Sequence, residues 1–112
     1  MEAQRQNVDP MLMVELAYSE SGFNHEARNK VSGCIGPMQV KPRWACPNKV
    51  EEGCDLIEAG VSSFIYWKKR KKTTEQMLCH YKSGNICTQT ALKGAKRVLE
   101  WTKRLKEKKN EF

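Results

Sequence analysis

The chain has 112 residues, of which 39% are hydrophobic and 29% are charged, and its formal net charge is +7 at pH 7. This length allows one hydrophobic core and excludes two, so we expect a single domain over residues 1–112. No stretch is long and apolar enough to cross a membrane, and no apolar signal region follows Met1, so any export uses another route.

The first predicted helix ends in an unusual acid. Asp9 is a good N-cap residue, Pro10 suits the first helical position, and Gly22 favours a helix end. Glu20 then lies in the last turn of an apolar helix, where burial and the helix dipole both disfavour negative charge. We expect the pKa of Glu20 to be raised, as a general acid requires. The alternative is a solvated polar residue at the end of a core helix.

Three further helices are predicted after an irregular connection over residues 40–53. Asp55 followed by Glu58 predicts a capped helix start, and Thr73 followed by Gln76 predicts another. The last helix runs from about Gln89 to Lys108 and has an apolar face opposite its lysines. The chain is therefore predicted to be all-α. The predicted inward stripes are Ile57, Val61, Phe64 and Ile65 in one helix, and Leu92, Ala95, Leu99, Thr102 and Leu105 in the last.

Five cysteines allow several interpretations. Two pairs are spaced to form disulfides in an oxidising compartment, namely Cys46 with Cys54 and Cys79 with Cys87. Cys34 would then be unpaired. The spacing does not match a zinc motif, so we expect no metal and no other cofactor. Small buried thiols are the remaining alternative, and we favour it for Cys34.

Two basic segments, residues 68–72 and 103–109, account for much of the positive charge. They are either a solvated surface or a surface for polyanions, such as nucleic acid or the anionic polymers of the bacterial envelope. No zinc-finger spacing or recognition-helix pattern is evident, so we expect no nucleic acid partner. Basicity alone also fits a non-enzymatic helical binding module.

Three short motifs follow one another in a specific order. They are Glu20-Ser21-Gly22-Phe23-Asn24, then Gly33-Cys34-Ile35-Gly36-Pro37-Met38-Gln39-Val40, then Tyr81-Lys82-Ser83-Gly84. Together they resemble the lytic transglycosylase (SLT-type) domain of the lysozyme-like superfamily, related to goose-type lysozymes, over roughly Val8 to Ile86. The resemblance implies a single-domain lysozyme-like fold with an active-site groove.

The resemblance also implies a reaction. Glu20 matches the family's single catalytic acid/base, which cleaves the β-1,4 bond between N-acetylmuramic acid and N-acetylglucosamine in peptidoglycan and leaves a 1,6-anhydromuramyl end. The muramyl 6-hydroxyl is the nucleophile, so a second carboxylate is not required, unlike in most glycosidases. A hydrolase of lysozyme type is the alternative, with Glu26, Glu51, Glu52, Asp55 and Glu58 as available second acids.

Supporting roles follow from the same resemblance. Gly36, Met38 and Gln39 match positions that line the sugar groove, and Ser32 or Asn29 matches a polar residue near the acid. Tyr81 matches an aromatic residue whose hydroxyl holds the catalytic carboxyl group or touches the substrate; Met38 and Tyr81 are alternatively core residues. The residues that depart from the family pattern are Cys34 and Pro37, and His80 to Gly84 in place of Ala-Tyr-Asn-Ala-Gly. Lys82 in that segment either favours the anionic groups of muramic acid or its stem peptide, or points to solvent.

The resemblance finally implies partners and a place of action. We expect a monomer that binds peptidoglycan glycan strands, with its basic surface on anionic envelope polymers, and that acts at the bacterial cell wall, in the periplasm or outside the cell. The small size and high basicity favour a phage lysin or a virion-borne protein made in the host cytoplasm.

Overall fold

The computed structural model describes residues 2–110, except for the side chains of Gln4, Arg5 and Asn110. These residues form an all-α structure without a β-strand, as predicted. The helices are α1 (Glu2–Arg5), α2 (Pro10–Ser21), α3 (Pro42–Ala45), α4 (Leu56–Lys68), α5 (Thr74–Ser83) and α6 (Gln89–Asn110), and a 3-10 turn covers Pro47–Lys49.

Side-chain caps fix where the helices begin. The Asp9 carboxylate accepts hydrogen bonds from the backbone amides of Met11 and Leu12 at the start of α2. Asp55 caps α4 in the same way, and the Thr73 hydroxyl accepts from the amide of Gln76 at the start of α5. The three predicted helix starts are confirmed, because each depends on a local bond that sequence spacing specifies.

The core lies where α2, α4, α5 and α6 meet. The long helix α6 packs along both α5 and α2, and α4 packs on α5. Leu16 of α2, Leu78 of α5 and Val98 of α6 are fully buried in this core. Ala3 of the short helix α1 also belongs to it, so the chain before α2 contributes to packing.

Two details differ from the sequence-based expectation. Residues 40–53 are not wholly irregular, because Pro42 starts the short helix α3 and Pro47 starts the 3-10 turn. The predicted stripe of α4 is shifted: Ile57 is exposed, whereas Ala59 and Gly60 are buried. Small residues face the core at these positions because neighbouring chain approaches α4 closely, as Met38 does at Gly60.

Both cysteine pairs allowed by their spacing form disulfides. Cys46 bonds to Cys54 across the loop that precedes α4, and Cys79 of α5 bonds to Cys87 just before α6. Cys34 is free, as expected, but it is only partly buried. The second disulfide ties the end of α5 to the start of α6, next to the Tyr81–Gly84 motif.

Candidate active site

Glu20 lies in the last turn of α2, as predicted. Gly22 ends the helix in the left-handed conformation, with φ of 62°, and its amide donates to the Tyr18 carbonyl oxygen. The Glu20 side chain is 16% exposed. The carboxylate is therefore largely withdrawn from water, at the end of the helix where unpaired carbonyl groups accumulate.

The acid has a cationic partner, which the sequence-based argument for an unpartnered carboxyl did not include. Lys82 of α5 places its Nζ 2.7 Å from Glu20 Oε2, and the Lys82 side chain is only 12% exposed. The same ammonium donates to Ser19 Oγ at 2.6 Å. The solvent-directed alternative for Lys82 is wrong: its ammonium is directed at the candidate catalytic acid.

A tight loop over residues 35–40 is joined to the end of α2. Ile35 and Val40 exchange two backbone hydrogen bonds, of 2.8 and 3.0 Å, and so close the loop. The Ser21 hydroxyl, next to Glu20 in sequence, donates to the Pro37 carbonyl oxygen at 2.7 Å. This bond holds the loop that contains Gly36, Met38 and Gln39 against the helix end that carries Glu20.

The loop has two residues in the left-handed region. Gly36 has φ of 80°, and a Cβ there would lie 2.7 Å from Leu56 Cδ1, so both conformation and packing require glycine. Gln39 has φ of 52°, which is uncommon for a residue with a side chain. Its side-chain amide donates to the Gly36 carbonyl oxygen at 3.0 Å and bridges the turn. Strained residues of this kind concentrate at functional sites.

Met38 and Tyr81 are joined to each other. The Met38 side chain is only 3% exposed and packs in the core against Gly60. A direct contact between this side chain and a sugar is inconsistent with such burial, so the core alternative fits Met38. Its carbonyl oxygen accepts a hydrogen bond of 2.7 Å from the Tyr81 hydroxyl.

The Tyr81 hydroxyl is therefore not a donor to Glu20, because its one proton is directed at Met38. The ring is nevertheless close enough for electrostatic coupling. Burial raises the pKa of Tyr81 well above its usual value, and the negative charges of Glu20 and Cys34 add to the effect. Tyr81 is a neutral side chain that fixes the loop beside the acid.

Ser32 and Asn29 form a separate local turn. The Asn29 side chain accepts from the amides of Val31 and Ser32, and the Ser32 hydroxyl accepts from the Cys34 amide. Ser32 is exposed. These bonds explain the shape of the turn that leads into the 35–40 loop, and they do not join Ser32 to Glu20.

The five other acids considered for a hydrolase are engaged or exposed elsewhere. Glu51 forms an ion pair with Arg28, and Asp55 caps α4. Glu26, Glu52 and Glu58 are exposed. Asp55 and Glu58 also approach Glu2, with possible ligand atoms within 4.8 Å of one another. Among residues 2–110 this is the group of acids whose ligand atoms lie close enough together to hold a cation.

The two basic segments meet at the opposite end of α2. Lys68, Lys103 and Lys106 line a cavity of about 470 Å³ beside Asp9. A second cavity of about 390 Å³ lies between α2 and α6, where Tyr18 contacts Phe23 and Trp101. Neither cavity is lined by Glu20, so the basic surface and the candidate acid are separate features.

Sequence reasoning missed the residues that hold Glu20 in place. Ser19 and Ser21 flank the acid and bind Lys82 and the 35–40 loop, respectively. Gly94 of α6 lies against the Lys82 stem. Ser21 could have been found from its place in the first motif, whereas Ser19 and Gly94 are recognisable only once the helices are packed.

The family model described as the transglycosylase SLT domain matches residues 1–109. The chain therefore belongs to this family, and its fold is the lysozyme-like all-α fold that the motifs implied. Membership makes it a peptidoglycan transglycosylase in the general sense, with the cell wall as its place of action. No curated protein and no solved structure matches the chain. No helix among residues 2–110 is both long and apolar enough to span a bilayer.

Proposed function

We propose that Glu20 is the single acid/base of a lytic transglycosylase that cleaves the β-1,4 bond between N-acetylmuramic acid and N-acetylglucosamine. The observation that carries this proposal is the joint between the end of α2 and the 35–40 loop. There a largely buried carboxylate lies next to a strained, hydrogen-bonded turn, connected through Ser21 and Pro37. The motifs that define the family resemblance meet at this joint.

The reaction needs one proton donor that later becomes a proton acceptor. Glu20 in its acid form gives a proton to the glycosidic oxygen as the bond from that oxygen to the muramyl anomeric carbon breaks. The resulting carboxylate takes the proton of the muramyl 6-hydroxyl while its oxygen bonds to the anomeric carbon. The product is a 1,6-anhydro ring, no water is consumed, and Glu20 returns to its acid form.

Two of the alternative acids have other partners, which favours transglycosylation over a hydrolysis that would use them. A glycosidase that hydrolyses its substrate needs a second carboxylate within about 5 to 9.5 Å of the first. Glu51 is paired with Arg28 and Asp55 caps α4, so these two acids are already engaged in other interactions. A single acid is sufficient when the substrate provides the nucleophile.

The loop supplies the substrate-binding groups in this proposal. The backbone of Gly36 and the side chain of Gln39 face the sugars, Tyr81 and the Met38 carbonyl group hold the loop in position, and Ser32 contributes at the periphery. The basic surface around Lys103 binds anionic envelope polymers. A monomeric state, the absence of nucleic acid, metal and cofactor, and a phage origin stay predictions from the sequence.

A pair of matched substitutions on α2 tests the role of Glu20. Glu20→Gln removes the proton and keeps the shape, and we expect fragment release from purified peptidoglycan to fall by at least about 100-fold. Glu15→Gln changes another carboxyl group of α2, one that lines the second cavity. Fragment release by this variant should stay within about twofold of wild type. Undiminished release by Glu20→Gln would contradict an enzymatic role for Glu20 and favour a binding module.

A further inference from the structure

Lys82 is held in position by three helices. It extends from α5, its ammonium contacts Glu20 Oε2 at 2.7 Å and Ser19 Oγ at 2.6 Å on α2, and its stem lies on α6. A lysine that is 88% withdrawn from water and donates to two acceptors is a fixed part of the site rather than a mobile surface side chain.

Gly94 makes room for this lysine. A Cβ at position 94 would lie 3.1 Å from Lys82 Cδ and 3.2 Å from Cε, tighter than ordinary contact. Glycine inside a helix is about 1 kcal/mol less favourable than alanine. At this position of α6 it lets the aliphatic stem lie on the helix backbone, so the ammonium reaches the carboxylate.

The charged groups around Glu20 act in opposite directions. The C-terminal end of α2 and burial disfavour the carboxylate, whereas the Lys82 ammonium stabilises it. Tyr81 is neutral and donates to Met38, and Cys34, in the turn before the loop, interacts electrostatically with Tyr81. The ion pair with Lys82 is thus the one cationic contact of Glu20 among residues 2–110.

We infer that Lys82 is a positioning residue that holds Glu20 as a carboxylate in the resting enzyme and sets the upper pH limit of activity. The inference rests on the proposed function, because only an acid role requires Glu20 to carry a proton. Before cleavage, Glu20 takes a proton from a hydronium ion of the solvent, its pairing with the ammonium weakens, and Lys82 keeps Ser19 as its acceptor. The proton then passes to the glycosidic oxygen.

The test is the pH dependence of kcat/KM on purified peptidoglycan for wild type, Lys82→Met and Lys82→Arg. Methionine keeps the stem without the charge, so we expect the pH of half-maximal activity on the basic side to rise by about one unit. Arginine keeps the charge and should leave that pH within about 0.3 units of wild type. A purely structural role for Lys82 would lower activity at every pH without moving this limit.

Gly94→Ala provides a second variant that leaves Lys82 itself intact. The added methyl group displaces the stem, so the limit should move in the same direction as in Lys82→Met, while α6 gains helix propensity. An active wild type whose limit is the same as that of Lys82→Met overturns the inference and leaves the proposed function standing. A wild type that releases no fragments overturns the proposed function, and this inference with it.

Discussion

The helix from Pro10 to Ser21 has a carboxylate at each end, and each pairs with a lysine from a later helix. At the N-terminal end Asp9 meets Lys106 at 2.5 Å, with the two side chains 34% and 50% exposed. At the C-terminal end Glu20 meets Lys82 at 2.7 Å, and both side chains are mostly buried.

The two pairs differ in what the helix does to the charge. Asp9 caps backbone amides, and the helix dipole favours its negative charge. Glu20 lies beside carbonyl groups that disfavour its charge, and its lysine opposes them. Asp9 is therefore an acid whose ionised form stabilises the fold, whereas the charge of Glu20 is disfavoured by the helix end and stabilised by Lys82. The proposed catalytic role of Glu20 rests on this difference from the structural role of Asp9.

Removing the Cys79–Cys87 disulfide should distinguish the Glu20 end of α2 from the Asp9 end more clearly than any other change. Each disulfide joins cysteines with a sequence separation of 8, so loop constraint predicts a similar stability loss of about 2.5 kcal/mol for Cys79→Ala/Cys87→Ala and for Cys46→Ala/Cys54→Ala. Only the first bond fixes the end of α5 that carries Lys82. We expect an additional fall in kcat/KM for that variant alone, measured well below its unfolding temperature; equal falls would contradict the dependence on α5.

Changing each acid by one methylene group should affect the two ends unequally. Glu20→Asp keeps the charge but draws the carboxyl group back by more than 1 Å, a displacement that can cost about 100-fold in rate. Asp9→Glu makes the reverse change at the other end of the same helix. We expect it to retain activity within about twofold in the same fragment-release assay. Comparable losses in both variants would remove the distinction between the two carboxylates.

Tyr81→Phe tests the neutral side chain beside Glu20 through the pH dependence of stability. Burial, then the charges of Glu20 and Cys34, raise the pKa of Tyr81 above its unfolded value of 10.0. The folded protein therefore keeps a proton that the unfolded chain loses. Stability is intact below about pH 10 and falls as pH rises towards the folded pKa, by about 1.4 kcal/mol per pH unit.

Denaturant unfolding at several pH values checks this expectation. Tyr81→Phe should not show the fall in stability above pH 10 that the buried Tyr81 hydroxyl causes. Tyr66→Phe, at an exposed position of α4, should lose stability with rising pH as wild type does. If the unfolding free energy of Tyr81→Phe falls with pH as steeply as that of wild type, the Tyr81 hydroxyl is not held in a buried, neutral state beside Glu20.

Asp9→Asn should have the smallest effect. Burial raises the pKa of Asp9, but Lys106 and the Met11 and Leu12 amides outweigh it and leave the pKa below its usual 3.8. The Asp9 carboxylate therefore stabilises the fold above about pH 4, and this contribution is lost as pH falls through its lowered pKa. Asparagine still caps the helix, so we expect a loss of stability below about 1 kcal/mol at pH 7 that disappears near pH 2. Thermal unfolding at the two pH values measures this loss. A loss that persists at pH 2 would point to the cap rather than the charge.

Local chemistry explains what could be predicted from the sequence. Asp9, Pro10 and Gly22 determine the bounds of α2 through bonds within a few residues, and Thr73 does the same for α5. The three motifs together carried the resemblance to the family, and the first of them contains the candidate acid Glu20. Each of these inferences depends on spacing along the chain, which a single sequence contains in full.

Long-range packing explains what could not be predicted. Lys82 reaches Glu20 across 62 residues, and only the packing of both α2 and α5 on α6 brings them together. Met38 directly precedes the polar motif residue Gln39, yet its side chain packs in the core against Gly60. The Tyr81 hydroxyl likewise finds its acceptor on the loop rather than on the acid.

The most direct test of the account is the mass of the fragments that wild-type protein releases from purified peptidoglycan. Cleavage by Glu20 with the muramyl 6-hydroxyl as nucleophile predicts 1,6-anhydromuramyl ends, one water lighter than the corresponding reducing ends. A lysozyme digest of the same material provides the reducing-end reference. Fragments with reducing ends would show that water enters the product, and would contradict a single-acid transglycosylase.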